Sequence, residues 1–394
     1  MIDRNKPTIV LALPWELYNK GGVNTVVKGL IGQLMLNDSP YNVILHINNW
    51  QKHTADDYAK GYKVLRIPTT DLSCCDSFSN KIKCLLLHLP LMYLKWFWAI
   101  KKYNIQAINV HFPTANSLGL ITICKLSRVK SIFSFHGADI TQFHHAVHAN
   151  KIQRFAHQVD NLVVSSLFVK QRLVKINSAY SAKLAVIPNG IDTHAVAATT
   201  KVSTHNVSRD NLASPPYLIN IATFENKKGQ DLIIRAFHLL CKNNQHKDLQ
   251  LLLVGRKTEY LQTLKALTLE LEITDRVIFH TDLKHRQAMA LLSKAQAFLL
   301  PSRDEPFGVV LLEAGVLNIP VIAHSTGGVK EIIQSDYNGI LLLENTVQQW
   351  SQTLNNFFLD KYDTNTFVKN FATTIEKNYT NNTVLAAYLK LLQY

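Results

Sequence analysis

The sequence predicts an α/β protein with two Rossmann-like domains, each built around a parallel sheet. Apolar runs of about four to eight residues alternate with amphipathic helical patterns, which is typical of repeated βαβ units. The alternation stops once, in residues 193–216, where Ser, Thr, Asn and Ala replace the apolar pattern, and then it starts again. A chain of 394 residues is long enough for two domains of ordinary size.

Composition limits the classes of partner. The formal net charge is +14 and the pI is near 9.4, so we expect an anionic partner: nucleic acid, an acidic membrane surface or a phosphorylated substrate. The sequence contains no familiar nucleic-acid-binding motif, and we therefore predict no nucleic-acid partner. The five cysteines are odd in number and show no metal-ligand spacing, which favours free thiols in a reducing cytosol.

Nothing in the sequence is typical of a secretion signal or a membrane span. The apolar run at residues 9–13 is too short for a signal peptide and is better explained as a first strand. No run of about twenty uncharged apolar residues is present, so a transmembrane helix is not expected. We predict a cytoplasmic location, with peripheral contact at the inner face of the plasma membrane as an open alternative.

The first predicted domain comprises residues 1–190. Its first strand is followed by a loop that ends in Gly21-Gly22, and a helix is predicted at residues 23–36. Two residues without side chains let a backbone approach a phosphate closely, although a plain turn between strand and helix is an equal alternative. Strands are predicted at residues 8–13, 43–47, 64–67, 107–112, 131–135, 161–165 and 184–187, and a further helix at 115–126.

Residues 81–102 are unusually apolar. Their regularly spaced polar positions recur every seven residues, at Lys81, His88, Lys95 and Lys102. A helix drifts by only about 20° over that interval, so these positions form one narrow stripe. Pro90 is predicted to kink this helix or to start a second one. The segment is either a core helix covered by its neighbours or an interfacial helix with its lysines toward lipid headgroups.

Histidines mark the carboxyl ends of two predicted strands in the first domain. His136 follows strand 131–135, and the carboxyl ends of parallel strands line the crevice where open α/β sheets bind ligands. His111 ends the neighbouring strand, and it either reaches the same crevice or is a satisfied core residue. His144 and His148 have the spacing of zinc ligands on a helix, but no HExxH glutamate or cysteine cluster accompanies them, so we expect no metal site.

The second predicted domain comprises residues 217–378. It is preceded by Pro188-Asn189-Gly190-Ile191-Asp192, which ends a strand and permits a left-handed turn. Residues 191–216 are predicted to be a hinge and linker. Strands are predicted at residues 217–224, 249–254, 277–281, 297–300, 321–324 and 339–343, and helices at 229–240 and in much of 346–394.

The segment at residues 298–333 combines a strand, an acidic loop and a helix, in that order. The helix begins near Phe307-Gly308-Val309-Val310. The first amides of a helix have no partners within it, so a helix N-terminus favours an anion such as phosphate. Glu305 lies in the loop and Glu313 lies eight residues later on the helix. On spacing alone, one solvated glutamate and one helix-capping glutamate are the better explanation.

The stretches EPFGVVLLEA and GGVKEII in this segment, with GGVNTVVKGL after the first strand and IPNGID between the halves, resemble the family 4 glycosyltransferases. The resemblance covers essentially the whole chain. It implies a retaining enzyme of the GT-B fold, in which two Rossmann-like domains with parallel sheets face each other across a cleft. The second domain would hold a nucleotide-sugar donor and the first the acceptor. Residues 379–394 would form a helix that packs back on the first domain.

The resemblance also implies roles for individual residues. In family members an Arg stands at the position of Thr223 and a Lys at that of Lys228, and both hold the donor diphosphate. Because the Arg is absent here, we expect weaker diphosphate binding unless Arg256, which follows a predicted strand, or another cation takes its place. The ribose is expected at Glu313, and the transferred sugar at Glu305.

The predicted catalytic residues are His136, Glu305 and Lys228, with His136 orienting the sugar or binding one of its hydroxyls. The predicted donor-binding residues are Gly21, Gly22, Thr223, Arg256, Leu283, Phe307, Gly308, Val309, Val310 and Glu313. Leu283 belongs to this set because the family's nucleobase-binding loop falls there. No metal and no cofactor is expected, since the nucleotide-sugar is a substrate.

The predicted reaction is transfer of a sugar from a UDP- or GDP-sugar to a saccharide acceptor. The basic first half and the apolar residues 81–102 favour a lipid-linked saccharide, in the assembly of a surface polysaccharide such as lipopolysaccharide, O-antigen, capsule or exopolysaccharide. The alternatives are a nucleotide-sugar epimerase of the same fold and a non-catalytic nucleotide-sugar-binding partner. A nicotinamide-linked dehydrogenase is disfavoured, because no G-x-G-x-x-G follows the first strand.

Overall fold

The structure is a computed structural model that describes residues 2–17, 21–36, 38–48, 61–70, 77–141, 157–201, 215–242 and 246–392. The chain forms two compact units. The first unit comprises Met1–Gly190 and Asn381–Tyr394, and the second comprises Ile191–Thr380. The last stretch of the chain thus belongs to the unit in which the chain begins.

The first unit has an open parallel sheet. Within the described residues its strands are β1 (Thr8–Leu13), β2 (Asn42–Ile47), β3 (Lys63–Leu65), β4 (Ile105–His111), β5 (Lys130–Phe135), β6 (Asn161–Val164) and β7 (Leu184–Val186). Their order across the sheet is β3-β2-β1-β4-β5-β6-β7, and neighbouring strands are parallel. β1 is buried along its whole length, as expected for a parallel strand with helices on both faces.

Helices cover both faces of this sheet. They are α1 (Gly22–Leu34), α2 (Phe78–Lys83), α3 (Leu89–Tyr103), α4 (Leu118–Ser127), α5 (Ala138–Thr141) and α6 (Leu167–Ile176). Because alternate residues of a strand point to opposite faces, Val10 and Ala12 of β1 join the apolar cluster that includes α3 and α4. Ile9 and Leu11 join the cluster that includes α1.

A π-helical turn, Cys84–His88, joins α2 to α3 without a break. It directly precedes the first turn of α3, which contains Pro90. Proline has no N–H to donate, and a single π turn is one way in which a helix accommodates such a defect. The predicted irregularity at Pro90 is therefore a local change of helix type. None of the described helices is both long and apolar enough to cross a lipid bilayer.

The second unit repeats the same plan. Its described strands are β8 (Tyr217–Ile221), β9 (Gln250–Gly255), β10 (Val277–Thr281), β11 (Ala297–Leu300), β12 (Val321–His324) and β13 (Ile340–Leu342). They form a parallel sheet with the order β10-β9-β8-β11-β12-β13. The two parallel sheets with interleaved helices confirm the predicted α/β class.

The remaining helices follow in chain order. They are α7 (Thr193–Lys201), α8 (Gln230–Cys241), α9 (Tyr260–Glu270), α10 (His285–Leu292), α11 (Val309–Val316), α12 (Val329–Ile332), α13 (Val347–Phe358), α14 (Thr364–Asn378) and α15 (Asn381–Lys390). The last of these packs against α1 in the first unit: a Cβ on Gly29 would lie 2.5 Å from the side chain of Asn381. Val384 and Tyr388 of α15 join the same buried cluster as Ile9.

The beginning of the predicted linker is a helix, α7. Asp192 accepts a hydrogen bond from the N–H of Ala195 at 2.8 Å, as a residue at a helix N-terminus does. Val196 is buried in the apolar core of the second unit. The prediction of a linker over all of residues 191–216 is therefore wrong for 193–201. Residues 193–201 contain few large apolar side chains, so their sequence shows no clear helical pattern and does not reveal that Val196 is buried.

Candidate active site

A lysine–glutamate ion pair lies where two neighbouring strands of the second sheet end. The turn Asn226–Lys228 follows β8, and the loop after β11 contains Glu305. Lys228 Nζ lies 2.6 Å from Glu305 Oε2, and the two side chains are only 18% and 11% exposed. Gly229, at φ 69°, permits this approach, because a Cβ there would lie 2.1 Å from the carbonyl oxygen of Pro301.

The loop that carries Glu305 leads into α11, whose N-terminus has no side-chain cap. Gly308 stands directly before the helix with φ 97°, a region that glycine adopts readily and other residues do not. The amides of Val309 and Val310 therefore open the helix without a side-chain acceptor, at the positive end of its dipole. An uncapped helix N-terminus, which favours an anion, therefore follows directly from the loop that contains Glu305.

The glycine pair Gly327-Gly328, which follows β12, packs against the loop that contains Glu305. The Gly328 N–H donates to the carbonyl oxygen of Glu305 at 3.0 Å, and a Cβ on Gly328 would lie 2.4 Å from the carbonyl oxygen of Pro306. The side chain of Phe307 is buried and packs against Tyr379, with ring centroids 6.0 Å apart. Its ring is therefore a core side chain, and its predicted donor-binding role, which concerned the backbone at the start of the helix, stays a prediction.

Glu313 is in contact with His285, a residue that sequence reasoning missed and that follows Leu283 by two positions. Glu313 is 7% exposed on the second turn of α11, and His285 Nε2 lies 2.7 Å from its Oε1. His285 is the first residue of α10 and is largely exposed. Leu283, two residues earlier, packs against the core cluster that includes α11. A histidine just beyond the carboxyl end of β10 is a signal that a search of strand ends would have found.

Arg256 lies beside the position where the family arginine is absent. The Phe224 N–H donates to the Arg256 carbonyl oxygen at 3.4 Å, so the segments after β8 and β9 run side by side. The Thr223 carbonyl accepts a hydrogen bond from Gln230 Nε2 at 3.0 Å, while the side chain of Arg256 is exposed. Arg256 therefore lies directly after β9, in the segment that runs beside Thr223 and Phe224.

A second arginine near the site is already paired. Arg303 donates to both carboxylate oxygens of Asp231, at 2.8 and 2.6 Å, and to the carbonyl oxygen of Asn226. A planar guanidinium suits this two-fold contact. Because Asn226 begins the turn that ends at Lys228, the Arg303–Asp231 pair fixes that turn. Sequence reasoning did not identify either residue.

The predicted glycine pair of the first unit lies at the start of α1. Gly21 adopts φ 154° and ψ 156°, a combination that is essentially open to glycine alone. Within the described part of the chain, no atom lies within 4 Å of the place its Cβ would take. The constraint is therefore the backbone angle and not crowding. Gly22 begins α1, and both glycines are exposed.

His136 directly follows β5, and Asp139 fixes its loop. The buried carboxylate of Asp139 accepts the backbone N–H groups of His136, Gly137 and Ile140 at 2.8 to 3.1 Å. Burial raises the pKa of Asp139 to about 7, although these hydrogen bonds oppose the shift. Gly137 completes the turn with φ 106°.

His136 is in contact with His111. His111 Nδ1 lies 3.2 Å from His136 Nε2, and the two rings are stacked at an interplanar angle of 28°. Burial lowers the pKa of His136 to about 4. Burial, and to a lesser degree the charge of His136, lowers the pKa of His111 well below its usual value. His111 is fully buried and its Nε2 has no partner, so it is a core residue, but an incompletely satisfied one.

The described residues contain no group of three His, Cys, Asp or Glu side chains that could hold a metal ion. His144 and His148, whose spacing fits zinc ligands, lie outside the described residues, as do Cys74 and Cys75. The described cysteines Cys84, Cys124 and Cys241 are free thiols.

Known families match both halves of the chain. The family described as Glycosyltransferase Family 4 matches residues 20–195, and the one described as Glycosyl transferases group 1 matches residues 205–374. The chain is 24% identical over 339 residues to a GDP-mannose-dependent alpha-(1-6)-phosphatidylinositol monomannoside mannosyltransferase of Mycolicibacterium smegmatis, covering 82% of both chains. It is 29% identical over 250 residues to the N-acetyl-alpha-D-glucosaminyl L-malate synthase of Bacillus anthracis, covering 61% of this chain and 62% of the relative.

Solved structures share the fold over nearly the whole length. A glycosyltransferase from Rickettsia africae has a TM-score of 0.75 at 17% identity, covering 99% of this chain and 98% of the other. Anabaena Alr3699/HepE, solved in complex with UDP, has a TM-score of 0.73 at 16% identity, covering 97% and 99%. With both halves matched by family and the fold shared throughout, the chain belongs to the group 1 and family 4 glycosyltransferases of the GT-B fold.

Proposed function

We propose that this glycosyltransferase moves a sugar from a UDP- or GDP-sugar to a saccharide acceptor, with retention of the anomeric configuration. The observation that carries the proposal is the Lys228–Glu305 pair, 2.6 Å apart, whose glutamate lies in the loop that leads into the uncapped N-terminus of α11. A departing nucleoside diphosphate needs positive potential where its charge develops. Lys228 and the amides of Val309 and Val310 supply that potential from the protein alone, so no metal or cofactor is invoked.

Each carboxylate near this N-terminus has a separate role in the proposal. Glu305 contacts the hydroxyls of the sugar, once Lys228 has turned its ammonium to the diphosphate. Glu313 accepts hydrogen bonds from the two ribose hydroxyls, which an ionised carboxylate can do with both oxygens. Arg256, exposed beside Thr223, adds a second positive charge for the diphosphate in place of the missing arginine. Leu283 lies beside the nucleobase.

His136 acts in the proposal as a neutral hydrogen-bonding group for a sugar hydroxyl. Its pKa is about 4, so at pH 7 the imidazole carries no charge and offers no electrostatic pull on the diphosphate. A neutral imidazole can donate one hydrogen bond and accept another. Gly21 and Gly22 would let the backbone approach the donor phosphates without side-chain obstruction.

The acceptor we propose is a saccharide carried by a lipid at the cytoplasmic face of the membrane, in the assembly of a cell-surface polysaccharide such as lipopolysaccharide. Two observations support it. The M. smegmatis relative is named for a phosphatidylinositol-linked mannoside, and the net charge of +14 suits an anionic surface.

A ligand screen tests the donor part of the proposal. Thermal unfolding is followed with UDP, GDP, ADP and the corresponding nucleotide sugars. A ligand at one hundred times its Kd adds about 2.7 kcal/mol of stability. The nucleotide with the correct base should therefore raise the unfolding temperature more than the other nucleotides do. Glu305→Gln should keep the nucleoside diphosphate shift and lose turnover. A screen in which no nucleoside diphosphate raises the unfolding temperature would overturn the proposal.

Product analysis separates transfer from epimerisation. A transferase with donor and acceptor releases the nucleoside diphosphate and forms a glycoside, whereas an epimerase converts the donor alone and leaves acceptor untouched. Anomeric assignment of the glycoside by NMR then tests retention. A product of inverted configuration would contradict the mechanism proposed here.

A further inference from the structure

The helical segment from α2 to α3 has two apolar faces, and the core covers only one of them. On α3, Met92, Trp96 and Ala99 are buried and join the core cluster of the first unit. Their spacing of four and three residues is that of one helix face. Trp96 in addition packs against His46, with ring centroids 4.9 Å apart. This face accounts for the attachment of the segment to the sheet.

The opposite face of α3 is apolar and open to solvent. Leu91, Leu94 and Trp98 are 47%, 66% and 56% exposed, and their spacing of three and four residues places them on a single stripe. The π-helical turn and α2 extend this exposed apolar surface; its members are Phe78, Ile82, Leu85, Leu86 and Leu87. Eight of the seventeen strongly exposed large apolar side chains in the described residues thus fall within residues 78–98.

Lysines border this stripe. Lys81 and Lys83 lie on α2, and Lys95, Lys101 and Lys102 lie on α3, all of them exposed. At about 100° per residue, Lys95 and Lys102 flank the stripe on one side and Lys101 flanks it on the other. Lys102 also holds its ammonium 4.2 Å from the centroid of the Trp98 ring. No Asp or Glu occurs between residues 77 and 104.

This charge pattern decides between the possible occupants of the stripe. A second copy of the chain, related by a two-fold axis, would bring two sets of five lysines together around the apolar contact, and like charges oppose such an interface. An anionic bilayer surface attracts every one of these lysines, and it accepts the apolar stripe between its headgroups and acyl chains. Tryptophan is also well suited to that boundary.

We propose that the segment from Phe78 to Tyr103 docks the protein on an anionic membrane, lying in the plane of the interface without spanning it. Leu91, Leu94 and Trp98 enter the acyl boundary, and the lysines meet the headgroups. The proposal rests on the proposed function in one respect only: docking would bring the enzyme to a lipid-linked acceptor. Membrane binding itself requires neither donor nor acceptor.

Vesicle flotation of the full-length protein tests the docking surface. The vesicles are of phosphatidylcholine, either alone or with about 30% phosphatidylglycerol. We expect the wild type to float with the anionic vesicles and much less with the neutral ones, and to detach as salt is raised. L91S/L94S/W98S should partition at least about tenfold more weakly, because three apolar side chains no longer enter the bilayer. K95E/K102E should lose binding to a similar extent.

The matched control replaces three exposed leucines elsewhere, in L126S/L269S/L343S, whose positions are 66%, 72% and 78% exposed. It should float like the wild type. The proposal would be overturned if the wild type did not bind anionic vesicles, or if L91S/L94S/W98S floated as well as the wild type. A wild-type dimer in light scattering that L91S/L94S/W98S converts to a monomer without any vesicle binding would also overturn it.

The two proposals fail separately. Release of nucleoside diphosphate from a water-soluble donor and the thermal shift with that nucleotide should be unchanged in L91S/L94S/W98S, which also shows that the variant is folded. Loss of flotation with intact donor binding supports docking. Normal flotation with no nucleotide binding would instead leave docking intact and defeat the proposed donor site.

Discussion

At the residue scale, the histidine pair shows how burial decides a hydrogen-bonding role. His111 Nε2 is buried without a partner, and a hydrogen on that atom would be an orphan donor, which is costly. We therefore infer that His111 carries its hydrogen on Nδ1 and donates it to His136 Nε2, 3.2 Å away. His136 then keeps its own hydrogen on Nδ1, as the donor it offers to a ligand. The sequence left His111 undecided, because no local pattern reveals which atoms of a buried ring find partners.

The lowered pKa of His136 predicts a pH dependence of stability. Below about pH 6.5 the unfolded imidazole binds a proton that the folded one, with a pKa of about 4, does not bind. The unfolding free energy should therefore fall as the pH falls from about 6.5 to about 4, by up to about 1.4 kcal/mol per unit from this residue.

His136→Gln should flatten that slope by about one proton when urea unfolding is measured at pH 7, 6 and 5. Asp139 acts in the opposite direction: its pKa is raised to about 7, so its contribution is present at low pH and is lost as the pH rises through 7. Asp139 and His111 are present in both proteins, and burial, the main cause of the lowered His111 pKa, is retained, so the difference between the two slopes reports mainly on His136. Equal slopes would contradict the assignment of a buried neutral imidazole.

Lys228→Met is the second prediction at this scale. It removes the ammonium, and with it one positive group that the proposal assigns to the diphosphate, so kcat/KM should fall by about 10² to 10³. Steady-state assays with the donor identified by the thermal screen give the value. Lys227→Met is the matched control, because the neighbouring Lys227 pairs with Glu225 on the exposed side of the turn. A loss of equal size in both variants would count against a specific role of Lys228.

At the element scale, the N-terminus of α11 depends on one glycine. Gly308→Ala would add a Cβ at φ 97°, 3.0 Å from Leu311 Cδ1, and a backbone in that region is strained for any other residue. We expect a loss of about 1–2 kcal/mol in unfolding free energy and a weaker thermal shift with the nucleotide, because the first amides of the helix move.

The control for Gly308→Ala is Gly32→Ala on α1. Within the described residues nothing lies within 4 Å of its Cβ position, and the site is inside a helix, so alanine should be neutral or stabilise by up to about 1 kcal/mol. Equal behaviour of the two variants in melting and in nucleotide binding would show that α11 has no special need for glycine.

Elements also show where prediction from sequence ends. The strands and most helices follow from runs and periodicities that burial imposes on the chain. For the segment containing Pro90, the sequence left core and membrane interface open, because an apolar helix alone does not show which of its faces is covered. The packing of Met92, Trp96 and Ala99 resolves this: one face is core and the opposite one is exposed.

At the scale of the whole molecule, the chain returns to the first unit for its last helix. Val384 and Tyr388 of α15 lie in the same buried cluster as Leu30, and the Tyr388 hydroxyl lies 3.2 Å from Ser134 Oγ. Truncation after Thr380 should uncover this cluster and lower the unfolding temperature of the first unit, while the second unit keeps its own core. Calorimetry of the truncated and full chains measures the two transitions.

Tyr388→Phe is the milder companion to this truncation. It keeps the ring in its cluster and removes the hydroxyl that hydrogen-bonds to Ser134 and Asn109, so its cost should be about 1–2 kcal/mol. A truncated chain that melts like the full one would show that α15 contributes little to the first unit. If truncation lowers only the unfolding temperature of the second unit, the last helix stabilises that unit, and its assignment to the first unit is wrong.

The sequence alone determined the α/β class and the two repeated halves, and it pointed to Lys228, Glu305 and Glu313, because strand alternation and a glycine before a helix are local consequences of burial and backbone angle. Only the tertiary structure decided which partners those residues meet. His285 reaches Glu313 across 28 positions, Arg303 reaches Asp231 across 72, and His111 reaches His136 across 25. Contacts of that separation depend on the order of strands in each sheet, and strand order is set by the packing of the whole unit and not by any one segment.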